Sequence, residues 1–154
     1  AGAAADVLSA QLVGGLSRLR LAVAGIAEPL DALVPGVAHP RPGERVLSGA
    51  RRRVTEELGV SCRPRLQFTT RYGCRLAGGM SENEFVFVYA ALLREPPSPN
   101  PLEIEAVAYL DVESLETQVR DVPVQLAPWL VHYVENHRGA VRQMAEAART
   151  GQLE

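Results

Sequence analysis

Residues 38 to 60 read Ala38-His39-Pro40-Arg41-Pro42-Gly43-Glu44-Arg45-Val46-Leu47-Ser48-Gly49-Ala50-Arg51-Arg52-Arg53-Val54-Thr55-Glu56-Glu57-Leu58-Gly59-Val60. The prolines stiffen a loop. After it, Val46, Leu47, Ala50, Val54 and Leu58 recur at helical spacing, which predicts a helix with one apolar stripe. Gly59 is the expected stop. Glu56 and Glu57 follow Arg53 by three and four residues, so all three side chains lie near one another on the helix surface. Carboxylates are hard oxygen ligands for Mg²⁺, which in turn bridges to phosphate oxygens. Taken alone, the run Arg51 to Glu57 equally describes a solvated helix with ordinary i,i+4 ion pairs.

Upstream, Val7 to Val13 and Leu19 to Val23 are short apolar runs split by Gly14-Gly15-Leu16-Ser17, which reads as strand, turn, strand. Pro29 to Ala38 carries two prolines and a glycine and reads as an irregular strand entering the loop. Downstream, Leu66 to Cys74 and Glu84 to Leu93 flank the glycine-bearing turn 77–81 and form a hairpin candidate. A proline loop, Arg94 to Pro101, leads into a strand at Ala106 to Leu110 and a short helix at Val112 to Gln118. Pro128 opens a last helix, Trp129 to Arg149, whose apolar positions Leu130, Tyr133, Val134, Val141, Met144 and Ala148 recur at helical spacing, weakened at Gly139. This order argues for an α/β (α+β) architecture with a mixed sheet between helices.

A length of 154 residues with 47% hydrophobic and 22% charged residues fits one domain, 1–154. The formal charge of -2 gives no general electrostatic reason to bind nucleic acid. Every basic residue is Arg, so lysine chemistry, including a Schiff base, is excluded. Cys62 and Cys74 are too few for a disulfide scaffold and lack metal-type spacing, which points to a reducing, cytoplasmic setting. Phe85 to Leu93 is about half of the roughly 20 residues that cross a bilayer, so no integral membrane segment is expected. The start AGAAAD lacks the charged and apolar regions of a signal peptide, and the chain opens without Met, as it would after loss of an N-terminal segment.

In register, residues 38–60 resemble the Nudix box, G-x5-E-x7-R-E-U-x-E-E-x-G-U with U apolar. Glu44, Arg52, Val54, Glu56, Glu57, Gly59 and Val60 match, while Ala38 replaces the first Gly and Arg53 the Glu of R-E-U. Together with His39-Pro40, Glu82-Asn83-Glu84 and Pro128-Trp129, the Arg53 substitution is similar to type I isopentenyl diphosphate isomerases, a Nudix branch. The resemblance implies a Nudix fold and a prenyl diphosphate substrate with Mg²⁺ or Mn²⁺. It implies metal ligands at His39, Glu82 and Glu84, and a Mg²⁺ carboxylate at Glu57 with Glu56 beside it. It also implies a proton-delivering pair, Glu84 and Tyr72, and diphosphate contacts from Arg53 and its neighbour Arg52. Trp129 would stabilise a carbocation through its π face.

Two departures bear on the reaction. The position of the family's catalytic cysteine is Val37, which can neither give nor take a proton, and no His precedes His39 where the family has two metal histidines. Glu84 with Tyr72 can still protonate an alkene, so isomerisation gives way to protonation-initiated cyclisation or rearrangement of a longer prenyl diphosphate as a hypothesis. The alternatives are a Nudix diphosphate hydrolase and a non-catalytic prenyl diphosphate-binding protein. His132 and His137, five apart on the last helix, do not share a face as i,i+4 ligands would, and read as surface or core positions. Cys74 should face the same way as Tyr72 as a small buried hydrophobe. Asp31 and Glu103 are weaker site candidates.

Overall fold

The structure is a computed structural model that describes residues 7–14, 19–23, 40–75, 79, 81–91, 93, 95–102, 106–123, 126, 128–150 and 152, with strands 7–14, 19–23 and 106–110 described by their backbone. The expected irregular strand at Pro29 to Ala38 lies outside the described residues. Among them, the elements run β1 (Val7–Gly14), β2 (Leu19–Val23), α1 (Val46–Leu58), β3 (Arg65–Arg75), β4 (Ser81–Ala91), β5 (Ala106–Leu110), α2 (Val112–Asp121), α3 (Pro128–Asn136) and α4 (Arg138–Arg149). The strands form one sheet in the order β3-β4-β1-β2-β5. β1 is parallel to β4, and the remaining pairs are antiparallel, so the sheet is mixed as expected.

Successive β4 residues face opposite ways. Val86, Val88 and Ala90 are buried with Tyr72 against Leu115 and Val119 of α2, Trp129, Leu130, Tyr133 and Val134 of α3, and Val141 and Met144 of α4. Phe87 and Tyr89 pack on the other face against Val46 and Ala50 of α1. Helices therefore cover both faces. Full burial of a Val or Leu side chain is worth about 1.5–3 kcal/mol relative to exposure, and this double-sided core fixes which residue looks which way.

Two local features depart from simple patterns. A register shift between Leu66 and Phe68 places an extra residue, Gln67, in β3; Leu66 consequently falls opposite Tyr89 and is 52% exposed. On α1, Leu47 belongs to the expected apolar stripe but is 37% exposed. Its neighbour Val46 takes the contact with the sheet.

The last helix is not continuous. α3 ends at Asn136 and α4 begins at Arg138, with His137 between them at φ -129° and ψ 31°. The break precedes Gly139, and the ring of His137 stacks on Phe68 of β3 at 4.4 Å. Side-chain docking on the sheet, rather than the glycine, accompanies the interruption.

α2 starts at Asp111, whose Oδ1 accepts from the Ser114 N–H at 2.7 Å. Its Glu116 accepts from Arg138 at 2.5 Å and from Arg142 Nε at 2.7 Å, tying α2 to α4. No described helix is long and apolar enough to cross a membrane.

α1 stops at Gly59, which adopts a left-handed φ of +64° while its N–H donates to Thr55 O. A Cβ at Gly59 would lie 2.7 Å from the Ser98 carbonyl oxygen. Backbone strain plus that clash predict that Gly59→Ala costs roughly 1–3 kcal/mol, seen as a lower urea midpoint. A loss under about 0.5 kcal/mol, the usual surface range, would contradict this. Glu116 gives a pH prediction. Hydrogen bonds from Arg142 and Arg138 hold its carboxyl down to about 2, so its contribution is present above the ordinary value of 4.5 and lost as pH falls toward 2. Unfolding midpoints measured between these pH values should fall less in Glu116→Gln than in the wild type.

Candidate active site

The first group of charged residues sits on α1 and the turn before it. Glu44 N–H donates to Arg41 O, while the Arg41 N–H donates to Glu44 Oε2 at 2.9 Å, so the turn holds its own carboxylate. Arg52 then forks onto Glu44, Nε to Oε1 at 2.9 Å and Nη2 to Oε2 at 3.0 Å. Gly49 makes room for this: a Cβ there would meet Glu44 Oε2 at 3.2 Å. Arg52 Nη1 also donates to Glu56 Oε2 at 2.9 Å, and Arg53 Nη1 donates to the same oxygen at 3.0 Å. The other Arg53 nitrogen pairs with Glu57 Oε1. Arg41 approaches Glu56 at 3.5 Å.

Three guanidinium groups thus meet three carboxylates. The hydrogen bonds from Arg52 hold the Glu44 carboxyl down to about 2. Burial opposes ionisation of Glu56, but the hydrogen bonds from Arg52 and Arg53 prevail and leave its carboxyl below the usual range. Glu57 is buried, at 5% exposure, and its guanidinium partner stands where the Nudix box has a carboxylate.

The proline loop closes the end of α1. Ser98 N–H donates to Leu58 O at 2.8 Å and Asn100 N–H to Glu57 O at 2.7 Å, satisfying carbonyls that the helix leaves open. Leu58 and Val60 pack there with Val54, Leu93 and Cys62. Burial pushes the Cys62 thiol up to about 11.

The second group lies on the opposite face of the sheet. Tyr72 stands directly across from Glu84 in the β3–β4 ladder. Both belong to the row that faces α3, since Tyr72 packs with Val86 and Val88. Trp129 and Tyr133, one turn apart on α3, have ring centroids 5.7 Å apart, and Phe68 meets Tyr133 edge-on at 5.8 Å. Burial, reinforced by Glu84 and then Tyr72, pushes the Tyr133 phenol far up. Tyr133 thus joins Glu84, Tyr72 and Trp129 in one cluster. Sequence reasoning placed it only on an apolar stripe, although its i,i+4 spacing from Trp129 was visible. Cys74 packs half-buried against the same core, as expected.

The expected site residues accordingly fall into two sets: Arg52, Arg53, Glu56 and Glu57 on α1, and Glu84 and Tyr72 on the sheet with Trp129 on α3 above them. Glu82 stands opposite Cys74 in the ladder, and its side chain is outside the described set. His39, Val37, Asp31 and Glu103 lie outside the described residues. His132 and His137, expected on different faces of one helix, instead converge on Thr70 because the helix is interrupted.

As metal donors, Glu56 and Glu57 offer the hard oxygens that Mg²⁺ takes, usually one or two carboxylates with water and substrate phosphate completing the shell. The fit in donor type is good, and the carboxylates are charge-balanced by Arg52 and Arg53. Among the described residues, no group of three or more His, Cys, Asp or Glu side chains is placed to hold a metal ion.

The NUDIX domain family model matches residues 38–130. The isopentenyl-diphosphate Delta-isomerase of Pectobacterium atrosepticum is 33% identical over 92 residues, covering 60% of this chain and 51% of that protein. The isopentenyl-diphosphate Delta-isomerase of Agromyces mediolanus is 38% identical over 96 residues, covering 60% and 46%. The chain thus spans about half the length of the curated relatives it matches. Among solved structures, a NUDIX hydrolase from Nitrosomonas europaea superposes with a TM-score of 0.61 at 17% identity, covering 86% of this chain and 88% of that one. At that identity the likeness speaks for the fold alone. With the family's model spanning more than half of its length and its fold shared, the chain belongs to the NUDIX domain family, in a branch similar to the isopentenyl-diphosphate Delta-isomerases.

Proposed function

We propose that this chain is an enzyme acting on prenyl diphosphates, that it protonates a carbon–carbon double bond, and that residues 1–154 work as one cytoplasmic domain. The observation that carries the reading is Glu84 standing across from Tyr72 on the buried face of the sheet, beside Trp129 and Tyr133. Protonation of an alkene creates a carbocation that water would quench. A carboxyl and a phenol walled by aromatic rings supply the proton, exclude water and present π faces to the cation. The similarity to isopentenyl-diphosphate Delta-isomerases supports the substrate class.

By resemblance Arg53 and Arg52 would face the diphosphate; they lie on the other face of the sheet from Glu84 and Tyr72, so one substrate would have to reach both faces. Glu57 and Glu56 would hold a divalent cation, Mg²⁺ or Mn²⁺, with His39, Glu82 and Glu84 forming a second donor set. When bound, such a cation would offset the negative charge of the diphosphate. Arg53 is already in contact with both carboxylates, so moving it onto phosphate oxygens would exchange one anion for another. Val37 has no proton to exchange, which favours cyclisation or rearrangement of a longer prenyl chain over return of the proton to a thiolate. Hydrolysis of a diphosphate is the second reading. Glu44, Glu56 and Glu57 support it, and Arg53 in place of a carboxylate counts against it.

Incubation of the purified protein with Mg²⁺ and prenyl diphosphates of increasing chain length separates these readings when organic products and released phosphate are followed together. The expected outcome is an altered hydrocarbon skeleton without matching phosphate release. Glu84→Gln should lower that conversion by roughly 10²–10⁴-fold, the usual worth of a general acid. Phosphate release that persists in Glu84→Gln would assign a hydrolase instead, and binding without turnover would assign a binding protein.

A further inference from the structure

β3 presents three consecutive inward positions to α3 and the start of α4. Phe68 stacks on the ring of His137, at 4.4 Å and 18°, and Tyr72 meets the ring of His132 edge-on at 5.7 Å. Thr70, buried between them, places its Oγ1 3.0 Å from His132 Nε2 and 2.8 Å from His137 Nε2. Two imidazoles therefore share one hydroxyl, which carries a single proton to donate.

The direction of the hydrogen bonds follows from Asn136. Its Nδ2 lies 2.9 Å from the His132 carbonyl oxygen, an acceptor, which identifies that atom as the amide nitrogen. The same Nδ2 lies 3.2 Å from His132 Nδ1. Nδ1 must accept there, so neutral His132 carries its proton on Nε2 and donates it to Thr70 Oγ1. The Thr70 hydroxyl has two acceptors in reach, the Arg71 carbonyl oxygen at 3.4 Å and His137 Nε2 at 2.8 Å; the shorter contact takes its proton, so Thr70 donates to His137 Nε2 and His137 carries its own proton on Nδ1. Burial, with His137 close by, holds His132 below its ordinary value, so the neutral ring is the form present near pH 7.

We infer that Asn136, His132, Thr70 and His137 form a one-way hydrogen-bond chain that seats α3 on β3, making Thr70, His132 and His137 positioning residues for Tyr72 and Trp129. His132 takes part in this chain and touches the Tyr72 ring. It is followed directly by Tyr133, which packs on Trp129. A chain of hydrogen bonds with one allowed direction fixes rotation of α3 about its axis more tightly than apolar packing alone. The catalytic consequence rests on the reading given above for Tyr72 and Trp129, while the chain itself does not.

The test uses the full-length protein. Long-range ¹H–¹⁵N spectra at pH 8 should show His132 protonated on Nε2 and His137 on Nδ1, and Thr70→Val, which keeps the β-branched shape, should abolish that difference. Trp129 is the chain's one tryptophan, and its emission should shift in Thr70→Val and return in Thr70→Ser. Identical tautomers in the wild type, or tautomers and emission indifferent to Thr70→Val, would overturn the chain. With prenyl diphosphate turnover, Thr70→Val should lower kcat by about tenfold or more with KM unchanged, as expected for misplacement of reacting groups, and Thr70→Ser should recover it. Unchanged kcat alongside altered tautomers would overturn the positioning role. A wild type that turns over no prenyl diphosphate would sink the proposed function and leave the chain to be judged on the tautomers and on Trp129.

Discussion

The antiparallel pairing of β3 with β4 fixes both faces of the molecule. With Tyr72 across from Glu84, Thr70 across from Val86 and Phe68 across from Val88, every second residue of each strand is committed to the face under α3 and α4. A slip of one residue would carry Tyr72, Thr70 and Phe68 to the α1 side and destroy the aromatic cluster, the docking of His137 and the burial of Val86 and Val88 together. The bulge at Gln67 shows where this commitment ends. Beyond it Leu66 pairs with Tyr89 and is half exposed.

On the other face, α1 and the turn before it carry a set of paired charges. Glu44, Glu56 and Glu57 are each met by Arg41, Arg52 or Arg53. In a NUDIX helix, carboxylates at these positions are read as metal donors, and the arginine at position 53 changes their electrostatics by occupying Glu56 and Glu57 at once. Loading a cation and a diphosphate on this surface would be an exchange of partners among charges already in place. The proline loop caps the end of α1 through the backbone N–H groups of Ser98 and Asn100.

The elements whose sequence signals are local were legible. α1 followed from the spacing of Val46, Ala50, Val54 and Leu58 and from Gly59, and β3 and β4 from their aromatic and β-branched composition. Glu84 and Tyr72 could be paired by resemblance before the ladder placed them opposite each other. What escaped depends on partners distant in the chain. His137 interrupts the last helix in contact with Phe68 and Thr70, more than sixty residues earlier, and nothing local marks it except the nearby Gly139. Leu47 fits the helical stripe by number, yet Val46 takes the sheet contact. The docking of Ser98 and Asn100 on α1 runs through backbone groups, which every sequence has, so no residue type announces it. Tyr133 was visible as an apolar position, whereas its closeness to Glu84 required the sheet register.

The central claim is that the Glu84–Tyr72 face delivers a proton to carbon. Running the reaction with prenyl diphosphates in D₂O and locating the label by mass spectrometry and NMR tests it most directly. The account predicts deuterium bound to a carbon of the rearranged or cyclised product. Turnover that leaves every carbon unlabelled would contradict it.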